Sequence, residues 1–532
     1  MSKKWQDIAQ EKRQAVNSLL PEKWKTTKLI PPVSELPDVT NYAATFLSEK
    51  EREITAQYTA SELVGKLARR EYTAVQVVEA FCHRATIAHE LVNCISEVLF
   101  SQAITRAAEL DDYLRAHGKP VGPLHGLPIS LKDQFRVKDA ETSVGYVAWL
   151  GKKETDETES FLVKRLKELG AIVFVKTNVP TSLMAIETNN NIIGYTLNPY
   201  NRLLSSGGSS GGEASLLALR GSIIGLGSDI GASIRLPSAV SGLTGLKPSH
   251  GRLPYLGVAN SMEGQETVPS VIGPLAHNVA DLRFLFKSIC QTQPWHDDPK
   301  VLPLPWRADE EEKGRESIKE GGLTFGVIKW DGVVMPHPPV QRAIQETISK
   351  LKAQGHEVIE WSPPAHQEAF EILWNTFAAD GGTDIHATLS LSGEAPVPQL
   401  SASFGEVAGT LPIPTINDIW ALQRRKYEYQ TRYLAYWNST ATLTKPGRPV
   451  DALIAPAAPT ASFLPGNGLY FGYTGVFNVL DFSVVVVPVT KVDKNRDPKV
   501  DGYVPAGDLD TLVWQQCMYF PNQTKDGASL LI

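Results

Sequence analysis

Cysteine is scarce in this chain: four residues among 532, Cys82, Cys94, Cys290 and Cys517, with no C-x-x-C among them. A disulfide framework or a zinc site needs paired, closer spacing, so no metal is expected. Long apolar runs are missing too. The stretch Phe482 to Val489 contains a serine and a proline and is far shorter than the ~20 residues that cross a bilayer. The opening MSKKWQDIAQEKRQ lacks the apolar segment of a secretory leader, and the sequons at Asn438 and Asn522 are read as coincidental. No charge of one sign dominates, since 52 Lys and Arg face 58 Asp and Glu for a formal net charge of −6. Neither nucleic acid nor a membrane is therefore expected as a partner, and the expected location is cytoplasmic.

What is present is core material. The chain is 42% hydrophobic and carries 11 Trp, 16 Tyr and 17 Phe, enough for a large folded core rather than a disordered chain or a small scaffold. Residues 1–58 are polar, with an amphipathic pattern from Trp5 to Leu20 and then prolines, and read as a helical and extended packing arm. Two capping boxes follow, Thr59-x-x-Glu62 and Thr73-x-x-Gln76, each ahead of a helical apolar pattern. In the second pattern Cys82 falls on the apolar face and reads as a buried small hydrophobe. From about residue 124 short apolar strands alternate with helices. Leu127–Leu131 and Ala171–Val175 read as strands, and 161–169 as a helix stopped by Gly170. Leu323–Lys329 and His356–Trp361 read as strands flanking a helix near Pro339–Ala353. This alternation predicts an α/β fold with a sheet covered on both faces. Pro294–Gly322 reads as a solvated insertion, and residues 367–440 as mainly helical.

The informative segment runs from Ser205 to Ser249, where glycine is dense and serine recurs. Three chemistries compete for it. A phosphate cradle needs a lysine behind its glycines, and none follows; Gly225-Leu-Gly227-Ser-Asp-Ile-Gly231 is one residue too long for G-x-G-x-x-G. A nucleophile elbow is matched literally by Gly207-Gly-Ser209-Ser-Gly211, but it needs a later histidine, and the last one is His386. The third is a serine served by a lysine. A hydroxyl is a poor nucleophile until a base takes its proton, and a lysine can do so only when burial or nearby positive dipoles make it neutral. Lys132, at the end of the strand Leu127–Leu131, is the candidate. A strand-end lysine reaching solvent or pairing with Asp133 fits the same pattern.

Gly207-GSSGGEASLLALRGSIIGLGSDIGASIRLPSAVSGLTGLKP248 resembles the amidase signature family, and Gly122-PLHGLPISLKDQF135 resembles its lysine segment. Lys176-TNVP180, Asp451-ALIAPAAP459 and Phe482-SVVVVPVT490 resemble further blocks, so that the likeness spans roughly residues 60 to 530. Leu91-VNCISEVLF100 and Val334-MPHPPVQRA343 look most like fungal acetamidase-type amidases. The resemblance implies a large twisted mixed β-sheet with helices on both faces. It implies one domain over residues 59–532, with a catalytic core about 120–260 and pocket and C-terminal elements about 320–530. It also implies hydrolysis of a small-molecule amide without a cofactor, and a homodimer. By motif, Lys132 corresponds to the general base, Ser209 to the cis-serine that relays the proton, and Ser233 to the acyl nucleophile. The amides of Ile230, Gly231, Ala232 and Ser233 correspond to the oxyanion hole, and Ser210, Ser228, Asp229 and Arg235 to residues that hold the loop. An amidotransferase subunit and a non-catalytic binding protein are the alternatives on the same scaffold.

One position departs from the family pattern: Ala232 stands where a second glycine is usual. A positive φ there would cost on the order of 1–2 kcal/mol, whereas a negative φ would let the methyl narrow the acyl site. The expectation is lower activity or a preference for small acyl groups. Leu183 and Met184 are candidate lining of the acyl pocket, with Trp374, Phe377 and the Tyr427–Tyr436 stretch as a candidate aromatic wall. Core packing is the competing reading for all of them.

Overall fold

The computed structural model describes residues 3–26, 30–362, 364–498 and 500–516; Cys517 and the Asn522 sequon lie outside the described residues. Local sequence explains how its first helices begin. The Thr59 side chain accepts from the Glu62 amide while Glu62 accepts from the Thr59 amide, opening helix Ala60–Ala68. Thr73 and Gln76 do the same for helix Ala74–Val92. Each box satisfies amides that a helix start leaves without partners. A third box, Ser48 with Glu51, opens helix Glu49–Ala56. Cys82 is buried in the core.

The first helix, Trp5–Leu19, is bound to the body by charge and by backbone. Lys12 pairs with Glu97 and, at 2.9 Å, with Glu141. Arg13 donates to the carbonyls of Asn191 and Ile192.

Twelve strands are found among the described residues: β1 (Ile95–Val98), β2 (Pro128–Lys132), β3 (Ile172–Thr177), β4 (Leu197–Asn198), β5 (Asn201–Ser205), β6 (Ile224–Asp229), β7 (Thr244–Lys247), β8 (Val271–Ala276), β9 (Thr324–Val327), β10 (Glu357–Glu360), β11 (Ala452–Ile454) and β12 (Val484–Val486). Seven of them form one mixed sheet in the order β1-β3-β2-β6-β8-β7-β12. The central trio β3-β2-β6 is parallel, and the flanking pairs are antiparallel. Every residue of β2, β3, β6 and β8 is buried. A sheet with one wet face would alternate, so this sheet is covered on both sides, as the alternation of strands and helices predicts.

The strands read at 323–329 and 356–361 do not join that sheet. They shorten to β9 and β10 and, with β11, make a separate all-parallel sheet in the order β10-β9-β11. The helix Pro338–Ala353 between β9 and β10 makes a βαβ unit whose local pattern is the same whichever sheet it belongs to. The Pro294–Gly322 stretch contains the helix Ala308–Glu320, with Asp309, Glu310 and Glu311 in its first turn, where acidic side chains favour the helix dipole. Residues 367–440 are mainly helical, ending in the long helix Ile416–Ser439. Among the described residues no helix is long and apolar enough to cross a membrane.

Removing one partner of a buried ion pair strands the other, at a cost of about 3–5 kcal/mol, whereas exposed pairs contribute about 0–1 kcal/mol. Lys12→Met, whose side chain is 12% exposed beside Glu97 at 10%, is expected to lower stability toward that range in chemical denaturation. Lys3→Met, which breaks an exposed pair with Glu11, is expected to change it by less than about 1 kcal/mol. Equal effects of the two substitutions would show that the first helix is not anchored through Lys12.

Candidate active site

Strand β2 runs between β3 and β6 and ends at Lys132, so the lysine ammonium is carried into the middle of a sheet buried on both faces. Its side chain has no exposed surface. Nζ donates to Ser209 Oγ at 2.8 Å, to Ser228 Oγ at 2.9 Å and, at 3.5 Å, to the Ser228 carbonyl. Burial pushes its pKa down to about 7, against the opposing pull of Asp229 and Glu213. The strand-end alternatives are not realised. Asp133, one residue on, pairs with Lys176 at 3.5 Å and accepts from Ser96, Ser143 and the Val144 amide.

The glycine–serine segment brings Ser209 to that amine. Gly207 has φ +73°, a left-handed turn open to glycine without strain. The Gly208–Ser209 peptide is cis, and helix Gly211–Ala218 begins two residues later. Ser228 lies near the end of β6. Its hydroxyl donates to Gln134 Oε1, whose amide nitrogen donates to Tyr255 Oη and the Ala259 carbonyl. With its proton committed to Gln134, Ser228 presents a lone pair to Lys132.

The loop from 229 to 235 is wrapped around one ion pair. Asp229 accepts two bonds from the Arg235 guanidinium, at 2.7 and 3.0 Å, and one from the Ile234 amide at 3.0 Å. Arg235 also donates to the Gly231 and Thr474 carbonyls and to Asn478. The pair is wholly buried, and Arg235 holds the Asp229 carboxyl down to about 2 despite that burial. Ser233 sits at the tip of the loop, and its carbonyl accepts from the Ser210 amide at 3.1 Å, joining the two serine segments. Ser210 itself donates weakly to the Ser228 carbonyl, at 3.5 Å. Among the described residues, the amides of Ile230, Gly231, Ala232 and Ser233 donate to no protein acceptor. Ala232 is absent from the residues of positive φ, so the strain expected of a Cβ there does not arise. Its methyl packs with Leu236, Val240, Ala458 and Phe463.

Two cavities meet at Ser233. One, of about 430 Å³, has Phe370, Trp374, Phe377, Phe404 and Phe471 in its lining. The other, of about 30 Å³, has Asn260, Ser261, Gln265 and Ser270 in its lining, together with Ser209 and Ser228. Leu183, Met184 and Ile230 line both and so form the partition. Ser182 and Leu183 both have positive φ, +68° and +66°, an arrangement that costs non-glycine residues roughly 1–2 kcal/mol each. That backbone turns Leu183 and Met184 into the partition. Trp374 and Phe377 reach the larger cavity, whereas Tyr427 is exposed and Tyr429 and Tyr433 are packed into the core.

Sequence reasoning passed over three residues. Gln134 orients Ser228. Glu187, buried, accepts from the Gly466 and Gly468 amides at 2.8 Å and from Tyr195 at 2.7 Å, pinning the loop that closes the larger cavity. Glu213 is buried in contact with Ser130 and Thr177. A lone carboxylate inside an otherwise neutral glycine–serine run was the available signal for Glu213. Among the described residues no group of three or more His, Cys, Asp or Glu is placed to hold a metal ion.

Comparison with known proteins identifies the family. A family model described as Amidase matches residues 76–510. The chain is 45% identical over 516 residues to an acetamidase of Emericella nidulans, covering 97% of this chain and 92% of that protein. It is 45% identical over 515 residues to an acetamidase of Aspergillus oryzae, covering 97% and 93%. A solved fatty acid amide hydrolase superposes with a TM-score of 0.90 at 33% identity, over 99% of this chain and 91% of that one. The family match over most of the chain, relatives alike along nearly their whole length and a shared fold lead to one conclusion: the chain belongs to the amidase signature family and is an amide hydrolase.

Proposed function

We propose that the chain hydrolyses primary amides of apolar carboxylic acids through an acyl-enzyme on Ser233, with Lys132 as base and Ser209 as relay. The observation that carries this reading is the fully buried Lys132 amine bonded to Ser209 and Ser228. A neutral amine has two N–H groups and one lone pair. The hydroxyl and carbonyl oxygens of Ser228 can take the two N–H groups, which leaves the lone pair for the Ser209 proton.

Ser233 Oγ attacks the amide carbon as its proton passes to Ser209 Oγ and the Ser209 proton passes to Lys132 Nζ. The carbonyl oxygen, now negative, is stabilised by the unpaired amides of residues 230–233. Each such donor is worth about 2.7–4 kcal/mol in the transition state. The relay then runs backward: Lys132 returns a proton through Ser209 to the departing nitrogen, and the C–N bond breaks. Water repeats the cycle on the ester, releasing the acid and regenerating Ser233.

The two cavities set the substrate. A volume of about 30 Å³ beside Ser209 matches the space of roughly one water molecule and accommodates an unsubstituted nitrogen better than an anilide. The apolar volume of about 430 Å³ receives the acyl chain and exceeds the needs of an acetyl group. The earlier expectation of a small-acyl preference therefore gives way to a larger acyl group, even with the Ala232 methyl in the wall.

Burying each methylene contributes about 0.8 kcal/mol, so hexanamide is expected to exceed acetamide by roughly a hundredfold in kcat/KM. Anilides of the same acid are expected to be poorer than the primary amide, and Ser233→Ala to abolish release of ammonia. A panel with acetamide as the best substrate would contradict the pocket assignment. The base must be neutral to act, so kcat/KM is expected to rise with pH through about 7, where burial places the Lys132 pKa. Lys132→Ala should remove this limb together with the activity, and a flat profile from about pH 5 to about pH 9 would contradict the role of Lys132.

A further inference from the structure

The acyl-transfer steps leave one buried carboxyl beside the base unused. Two acids influence Lys132: Asp229 and Glu213. Asp229 is committed to Arg235. Glu213 has no ion-pair partner within 4 Å among the described residues. It lies in the first turn of helix Gly211–Ala218, four residues after Ser209, with no exposed surface. One carboxyl oxygen accepts from Ser130 and the other from Thr177. Ser130 and Lys132 are two residues apart on β2 and so share a face of the sheet. Gly225 of β6 is in register with Ser130, and a Cβ at Gly225 would collide with Glu213 Oε1. The sheet therefore holds a space shaped to this carboxyl, with a hydroxyl donor for each oxygen.

We propose that Glu213 is a positioning residue for the base: clamped to β2 by Ser130 and to β3 by Thr177, it fixes the helix behind Ser209 and sets a carboxyl without a cation of its own against the Lys132 charge. The inference rests on the reading of Lys132 as base. A buried ammonium with a carboxylate and a buried amine with a carboxylic acid carry the same net charge. Lys132 can thus become neutral while the core gains no net charge. Burial raises Glu213 to about 7, the range to which it lowers Lys132, so the two titrate as a pair. Lys247 on β7, which burial lowers to about 8, acts on Asp229 and on neither member of the pair. Asp229 on β6 is held ionised by Arg235 from the following helix. Asp133 and Lys176 pair with each other at the adjoining ends of β2 and β3. The Cys94 thiol, which also feels Glu213, is pushed upward by burial and stays neutral.

The test compares the wild type with Ser233→Ala, Glu213→Gln and Thr177→Val, by kcat/KM for hexanamide from about pH 5 to about pH 10. Glu213→Gln keeps the shape and removes the charge that favours protonated Lys132. Its acid limb is expected to fall by about one pH unit, at the lower end of what a neighbouring charge does. Thr177→Val removes one donor to the carboxylate, keeps Glu213 protonated to higher pH and is expected to move the limb the same way by less. A merely structural role would lower the rate at every pH and leave the limb in place. An unmoved or raised limb in folded Glu213→Gln would overturn the inference. Should that variant not fold, Thr177→Val decides on the same criterion. Turnover by Ser233→Ala would overturn the acyl-enzyme reading itself. An inactive Ser233→Ala with an unmoved limb would overturn only the role of Glu213.

Discussion

The structure depends on keeping one lysine amine out of water. A lysine in water is protonated until well above neutrality, and a protonated lysine is no base. Lys132 escapes that condition because β2 lies inside the sheet, between two strands that are themselves buried on both faces. In the proposed mechanism, the desolvation that would ordinarily count against such a residue is what readies it for chemistry. Hydroxyls and a carbonyl surround the amine, and the carboxyls that feel it stand behind them. It is therefore solvated by dipoles rather than locked to a carboxylate.

The glycine–serine segment follows from the same constraint. Two serine-bearing stretches must approach the amine from different elements, one ahead of helix Gly211–Ala218 and one after β6. Backbone that close to backbone leaves little room for Cβ atoms: one at Gly208 would meet the Glu187 amide nitrogen at 2.7 Å. The segment after β6 has no regular structure of its own and takes its shape from the Asp229–Arg235 pair. A fully buried pair of this kind is weak evidence for stability. Its geometric effect is plain: the amides of Ile234 and Arg235 are drawn to the Asp229 carboxylate, and those of residues 230–233 are left without an acceptor among the described residues.

Much of this was legible because it was written locally. The threonine caps at Thr59 and Thr73, the apolar run ending at Lys132 and the serines at positions 209 and 233 each depend on a few adjacent residues. Matching the segment to a family then assigned those serines and the lysine to roles that spacing alone had left open. Long-range pairings were not legible. Whether Lys132 would pair with Asp133 was decided by Lys176 from β3, far away in sequence. That β9 and β10 would leave the main sheet was decided by β11, about a hundred residues downstream. The Ala232 question turned on a backbone angle, and the size of the acyl cavity on aromatic residues spread from Phe370 to Phe471.

The central claim is that Lys132 is neutral near physiological pH because it is buried. Direct titration of the lysine side chains by NMR, with the protein labelled with ¹³C at the lysine Cε, tests it without reference to turnover. The account predicts a resonance that titrates near pH 7 and is missing from Lys132→Ala. If the resonance lost in that variant titrates instead in the ordinary lysine range, around 10.4, then burial has not produced a base and the account is wrong.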